Sequence, residues 1–109
     1  MAYNEQLAMR VRKALEHMSN VKEKKMFGGL AFMVNDKMCI TVSKDRIMVR
    51  IDPTDYKDLI KREGTQTVIM KNREYKGYIR ISEDVLSDQK ELNFWIKKAL
   101  EYNRQLKEG

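Results

Sequence analysis

The sequence predicts an α+β domain, one antiparallel sheet of about five or six strands packed against helices, in the order α, three or four strands, α, two strands, α. Three observations carry this. Residues 4–19 and the stretch after Ser87-Asp88 repeat apolar side chains at helical spacing. Between them, short runs rich in β-formers alternate with polar turn pairs. A helix-start signal, Asp52-Pro53-Thr54-Asp55, divides those runs into two groups. The chain has 109 residues, and 1–109 reads as a single domain without repeats or linkers. A chain of this size buries enough surface to hold a core without disulfides or metal.

In the first helix Leu7, Val11, Ala14, Leu15 and Met18 form one stripe, and Arg10, Arg12, Lys13 and Glu16 take the remaining surface. Asn4 is placed to cap its start and Ser19-Asn20 to stop it. The run Lys24-Lys25-Met26-Phe27-Gly28-Gly29-Leu30-Ala31-Phe32 then turns the chain from helix to sheet. Its glycine doublet reads as a tight bend between an edge strand and a meander. Leu30–Val34, Met38–Val42 and Arg46–Ile51 are the candidate strands, with turns at Asn35-Asp36 and Lys44-Asp45. A two-residue turn at Lys44-Asp45 pairs Val42 with Ile47 and Ile40 with Val49. The same turn at Asn35-Asp36 pairs Met33 with Met38 and sets Phe32 beside Cys39. Leu30, Phe32 and Val34 then lie on the face opposite Ile40 and Val49, whereas a loop one residue longer would bring them together. The two-residue turn is the expectation; it leaves apolar side chains on both faces, one for helices and one for a partner chain.

Pro53 opens a second helix of about two and a half turns, with Thr54 or Asp55 accepting a free backbone N–H. Tyr56, Leu59 and Ile60 supply its apolar face, and Gly64 its end. Thr67–Met70 and Tyr75–Ile81 read as a hairpin turning at Asn72-Arg73, with Gly77 marking a bulge or a close backbone approach. Glu83-Asp84 falls on an exposed loop. The last helix begins after Asp88, which with Glu91 fits a capping box. Its stripe is Leu92, Trp95, Ile96, Ala99, Leu100 and Leu106, with Trp95 as the anchor.

The sequence holds no recognisable catalytic or metal constellation. Cys39 is alone, so neither an intrachain disulfide nor a cysteine-based zinc site can form, and it reads as a buried structural thiol. A lone thiol, a polar N-terminus and the absence of any apolar stretch near the roughly 18 residues that cross a bilayer lead to the expectation of a cytoplasmic protein without membrane contact. His17 has no second His near it, Asp52 and Asp55 are explained as helix caps, and no Gly-x-Ser-x-Gly elbow occurs. No enzyme, no metal and no cofactor are expected.

Binding is the remaining class. The formal net charge is +6, from 22 Lys and Arg against 16 Asp and Glu. Such a balance favours polyanions, although acids interspersed along the chain also make it a solubility feature. Lys24 and Lys25 beside Gly28 and Gly29 are a candidate contact for a small anion or a partner, through a nest of backbone N–H groups. The doublet lacks P-loop or dinucleotide spacing, and a structural bend is the favoured reading. Lys71, Arg73, Lys76 and Arg80 interleave with Tyr75 and Tyr78, the pattern of a hairpin that tracks and stacks nucleic acid. The same pattern also describes an exposed strand whose lysines discourage edge pairing. Met33, Met48 and Met70 add candidates for an adaptable contact surface.

The Lys-Lys-Met-Phe-Gly-Gly-Leu-Ala-Phe run resembles the signature of the TfoX N-terminal domain family, also called TfoX/Sxy. Met48-Val49-Arg50-Ile51-Asp52-Pro53, Met70 to Ile81 with Lys76-Gly77-Tyr78 and Arg80, and Asp88 through Ala99 with Leu92 and Trp95 are similar to later parts of that domain. Asp36 departs from it, since relatives often carry Gly in that turn. The resemblance implies a secretion-chaperone-like α-β-α-β-α arrangement, whose members commonly form a homodimer. It also implies a link to transcriptional regulation of competence for DNA uptake. The named regulator carries a C-terminal domain that this sequence does not continue into, and the resemblance supplies no catalytic residues. The expected function is therefore a non-enzymatic regulatory or adaptor domain acting by protein contact, as a homodimer or with an unidentified protein partner. Direct nucleic-acid binding and small-anion binding are the alternatives.

Overall fold

The computed structural model describes residues 3–26 and 28–108. Among them, the chain forms α1 (Glu5–Leu15), β1 (Val21–Met26), β2 (Gly29–Val34), β3 (Lys37–Val42), β4 (Arg46–Arg50), α2 (Tyr56–Leu59), β5 (Thr65–Met70), β6 (Arg73–Ser82), α3 (Glu83–Leu86) and α4 (Gln89–Glu108). The strands make one antiparallel six-stranded sheet in the order β1-β2-β3-β4-β6-β5. This is the α+β class expected. No described helix is long and apolar enough to cross a membrane.

The helices gather on one side of the sheet. Leu7, Val11 and Leu15 from α1 and Leu92, Trp95, Ile96 and Ala99 from α4 share a core with Phe32, Ile40, Val42, Ile47, Val49, Ile79 and Ile81 of the strands. Tyr56 and Leu59 of α2 and Leu86 of α3 close its end. Trp95 is fully buried and meets Phe94 edge to face, with ring centroids 5.2 Å apart. Leu106 of the predicted stripe is half-buried, and its carbonyl accepts from the Lys37 ammonium of β3 at 3.3 Å.

α1 stops at Leu15, short of the expected residue 19, because its last turn tightens. The Glu16 amide donates to the Lys13 carbonyl and the Met18 amide to that of Leu15, which frees the chain to enter β1 at Val21. Asn4 caps the start as expected, accepting from the Leu7 amide at 3.0 Å. β1 is a full edge strand paired along β2, with Val21 and Met26 at the ends of an exposed charged run, Lys22-Glu23-Lys24-Lys25.

The register corrects one expectation. The turn at Asn35-Asp36 has two residues, both in left-handed conformation, and Met33 pairs with Met38 as expected. A bulge then places Cys39 as an extra residue in β3, so Phe32 pairs with Ile40 and Leu30 with Val42. Leu30 and Phe32 therefore share the face of Ile40 and Val49 and do not oppose it. The bulge does what the longer loop would have done. The turn at Lys44-Asp45 produces the expected pairs, Val42 with Ile47 and Ile40 with Val49.

Five further details differ from expectation. Asp52, not Thr54 or Asp55, caps the second helical segment, accepting from the Thr54 amide at 2.9 Å. That segment is shorter than two and a half turns: a 3₁₀ turn at Pro53–Asp55 leads into α2, and the Thr65 hydroxyl donates to the Ile60 and Arg62 carbonyls that a longer helix would have used. The second hairpin turns at Lys71-Asn72, both at positive φ, one residue before the expected turn. Glu83-Asp84 open the short helix α3, capped by Ser82, where a loop was expected. Asp88 caps α4 through the Lys90 amide, but Glu91 turns away to Arg62 at 2.7 Å, so half of the capping box is made. Gly77 does sit in a bulge of β6, where its carbonyl accepts from the Ile51 amide at 2.9 Å.

Candidate functional site

With all helices on one side, the other side of the sheet is open. Strand alternation and register define what it presents. One row across the sheet is Lys24, Ala31, Thr41, Met48, Arg80 and Gln66; beside it run Lys22, Met33 and Met38 on one flank, and Arg46 with Ser82 on the other. Ala31 and Thr41 are buried here although no helix covers them. Long neighbouring side chains cover them instead, and the Thr41 hydroxyl donates to the Met38 sulfur at 3.5 Å.

At the centre of this face lies a hollow of about 140 Å³, walled by Met38, Met48 and Tyr78, with Thr41, Ser43, Arg46 and Arg80 around it. All but Thr41 are half-buried. The ion pairs among the described residues are Arg12–Glu23, Lys22–Asp36 and Arg62–Glu91, so neither Arg46 nor Arg80 is neutralised. At one corner the Arg50 guanidinium sits 5.9 Å from the Tyr78 ring centroid and 5.8 Å from that of Tyr102 in α4.

The residues singled out in the sequence are split by this geometry. Tyr78 and Arg80 belong to the hollow, whereas Lys71, Arg73 and Lys76 are exposed toward the tip of the β5–β6 hairpin. Met33 and Met48 reach the open face; Met70 lies on β5 beyond β6. Lys24 and Lys25 alternate to opposite faces, Lys24 opposite Ala31 and Lys25 opposite Leu30. Gly28 is exposed with φ of +70°, and Gly29 is buried where a Cβ would overlap the Val42 carbonyl oxygen. Phe27, the other residue of this bend, lies outside the described residues. Sequence reasoning missed Arg46, Thr41 and Met38 as members of one site. The signal was present in the pairing of Ile47 and Val49 with the core, which sends Arg46 and Met48 to the far side.

The model of the TfoX N-terminal domain family matches residues 13–102, from within α1 into α4, and so takes in every strand of this sheet. The chain belongs to the TfoX N-terminal domain family. No curated protein and no solved structure gives a match.

In this TfoX N-terminal domain the groups most often used in catalysis are apart. Burial pushes the Cys39 thiol up to about 12, so it carries no thiolate near neutral pH. His17 is exposed beyond the end of α1, beside Lys97, Glu101 and Arg104 of α4. Among the described residues no three His, Cys, Asp or Glu side chains cluster as a metal site. The hydrogen bonds from Arg12 hold the Glu23 carboxyl below its ordinary range, and the Thr54 amide and hydroxyl do the same for Asp52. Both carboxylates are thereby occupied in structure, one tying α1 to β1 and the other starting the 3₁₀ turn.

Proposed function

We propose that this TfoX N-terminal domain is a regulatory or adaptor module that acts through contact with another protein and without catalysis, within the regulation of competence to which its family is generally linked. One observation carries the reading: the sheet is packed on a single side, and its open side presents Met38, Met48 and Tyr78 around a hollow. Methionine is unbranched and polarizable, so such walls adapt to a partner's side chain at little cost. Arg, Tyr and Met are also the side chains enriched at the centres of protein interfaces. The test is affinity capture from native lysate, with and without nuclease, followed by mass spectrometry. The reading expects a protein partner retained after nuclease treatment; partners that all vanish with the nuclease would overturn it.

A second reading, direct nucleic-acid contact, draws on Arg80 and Tyr78 together with Lys71, Arg73 and Lys76 at the hairpin tip. It requires an affinity that falls steeply with salt, and a smaller salt slope for Arg73→Ala with Lys76→Ala.

A further inference from the structure

We propose that the open sheet face docks an acidic polypeptide segment, one apolar side chain of which enters the hollow between Met38, Met48 and Tyr78. The inference rests on the adaptor reading and names the kind of partner.

Charge decides the occupant. Among the described residues, the charged side chains in the rows across this face are Lys22, Lys24, Arg46, Arg50 and Arg80, all cations, and only Lys22 has a carboxylate partner. Arg46 and Arg80 are diagonal neighbours across β4 and β6, since Arg46 faces Ser82 and Arg80 faces Met48. Both guanidiniums therefore flank the same hollow. A second copy docked face to face would set these cations against their own equivalents, and like charges brought together and desolvated oppose association. Carboxylates are the complement, and the planar guanidinium binds them through two parallel hydrogen bonds.

Size and surface decide the rest. A hollow of about 140 Å³ is well below the roughly 300–1,000 Å³ of sites that enclose a cofactor or drug-sized molecule. It suits one side chain projecting from an extended or helical segment. A single-stranded nucleic acid would use a succession of rings for its bases, and among the described residues Tyr78 is the one aromatic side chain lining the hollow. The walls are methionine, which favours an aliphatic or aromatic side chain.

The experiment is selection of a random peptide library on the full chain, followed by titration of the recovered peptides. The expected peptides combine several Asp or Glu with one large apolar residue. Their affinity should fall about tenfold or more for Arg46→Glu with Arg80→Glu, the loss typical of removing interface hot spots. It should also fall for Met48→Ala at unchanged charge. Should the double charge reversal not fold, methyl NMR of the unaltered chain serves instead: the Met38 and Met48 signals should move on titration while that of exposed Met9 stays. Peptides without acidic enrichment, equal affinity for the folded charge-reversed variant, or movement of Met9 with Met38 and Met48 silent would each overturn the proposal. So would displacement of the peptides by an oligothymidylate that binds the same methionines more tightly, since the face would then belong to nucleic acid. A nuclease-resistant partner captured equally well by the charge-reversed variant sinks this surface while leaving the adaptor reading standing.

Discussion

Gly28 and Gly29 do different work, although the sequence presents them as one doublet. Gly28 holds a left-handed conformation in open space, so Gly28→Ala meets only the backbone penalty of about 1–2 kcal/mol. At Gly29 the backbone of β2 approaches β3 so closely that a Cβ would overlap the Val42 carbonyl. Gly29→Ala must shift a strand, and its cost should reach at least the upper end of the roughly 1–3 kcal/mol of overpacked cores. Chemical denaturation of the two variants checks the order; equal losses would contradict it. That a doublet would bend the chain was legible from glycine's freedom at positive φ. Which of the two answers to a neighbouring strand was not, because that depends on register. Lys24 and Lys25 show the same divide. Adjacent in sequence, they look like one cationic patch, but strand alternation sends them to opposite faces.

Elements are where tertiary context overrode local pattern most clearly. The turn at Asn35-Asp36 behaved as its residues suggest, and the bulge at Cys39 then reversed the face of everything before it. Nothing in the residue types announces such a bulge; it follows from the gain in placing Phe32 and Ile40 in one core. Another element-scale tie escaped the apolar stripe of α4. Asn103 is buried on that helix, donates to the Val34 carbonyl at 2.9 Å and accepts from the Asn35 side-chain amide at 3.1 Å. It fastens the end of α4 to the β2–β3 turn. Asn103→Leu removes both bonds and should cost about 1–3 kcal/mol by leaving buried groups unpaired, whereas a neutral outcome in denaturant unfolding would mean the tie is dispensable. Two helix-linked carboxylates contribute to the acid response. Glu23 and Asp52 are held below the ordinary range by hydrogen bonds present only in the folded chain. Their stabilisation is present above the unfolded carboxyl value, near about 4, and is lost as pH falls through the lowered folded values. The denaturation midpoint should therefore drop less on acidification in Glu23→Gln with Asp52→Asn than in the unaltered chain.

At the scale of the whole molecule, one-sided packing is the organising fact. The amphipathic stripes of α1 and α4 foretold two helices with apolar faces, whereas the register expected at Asn35-Asp36 put apolar side chains on both faces of the sheet, and the bulge at Cys39 gathers Leu30 and Phe32 onto the helical side instead. Trp95 sits at the centre of the resulting layer, fully buried among strands and helices. Trp95→Ala should cost about 3–5 kcal/mol in the same unfolding assay, and a near-neutral effect would show that this layer is not held as described. The other side of the sheet, basic and rich in methionine, has no such filling among the described residues.

Its methionines make the central claim directly measurable. Met38 and Met48 wall the hollow, and Met9 stands exposed on α1 in the helical layer. A methyl spectrum of methionine-labelled chain, recorded with the partner that survives nuclease-treated capture, reports which side is covered. The account predicts that the Met38 and Met48 signals shift or broaden while the Met9 signal is unchanged. Unchanged Met38 and Met48 signals with the partner bound, or a response confined to Met9, would contradict it.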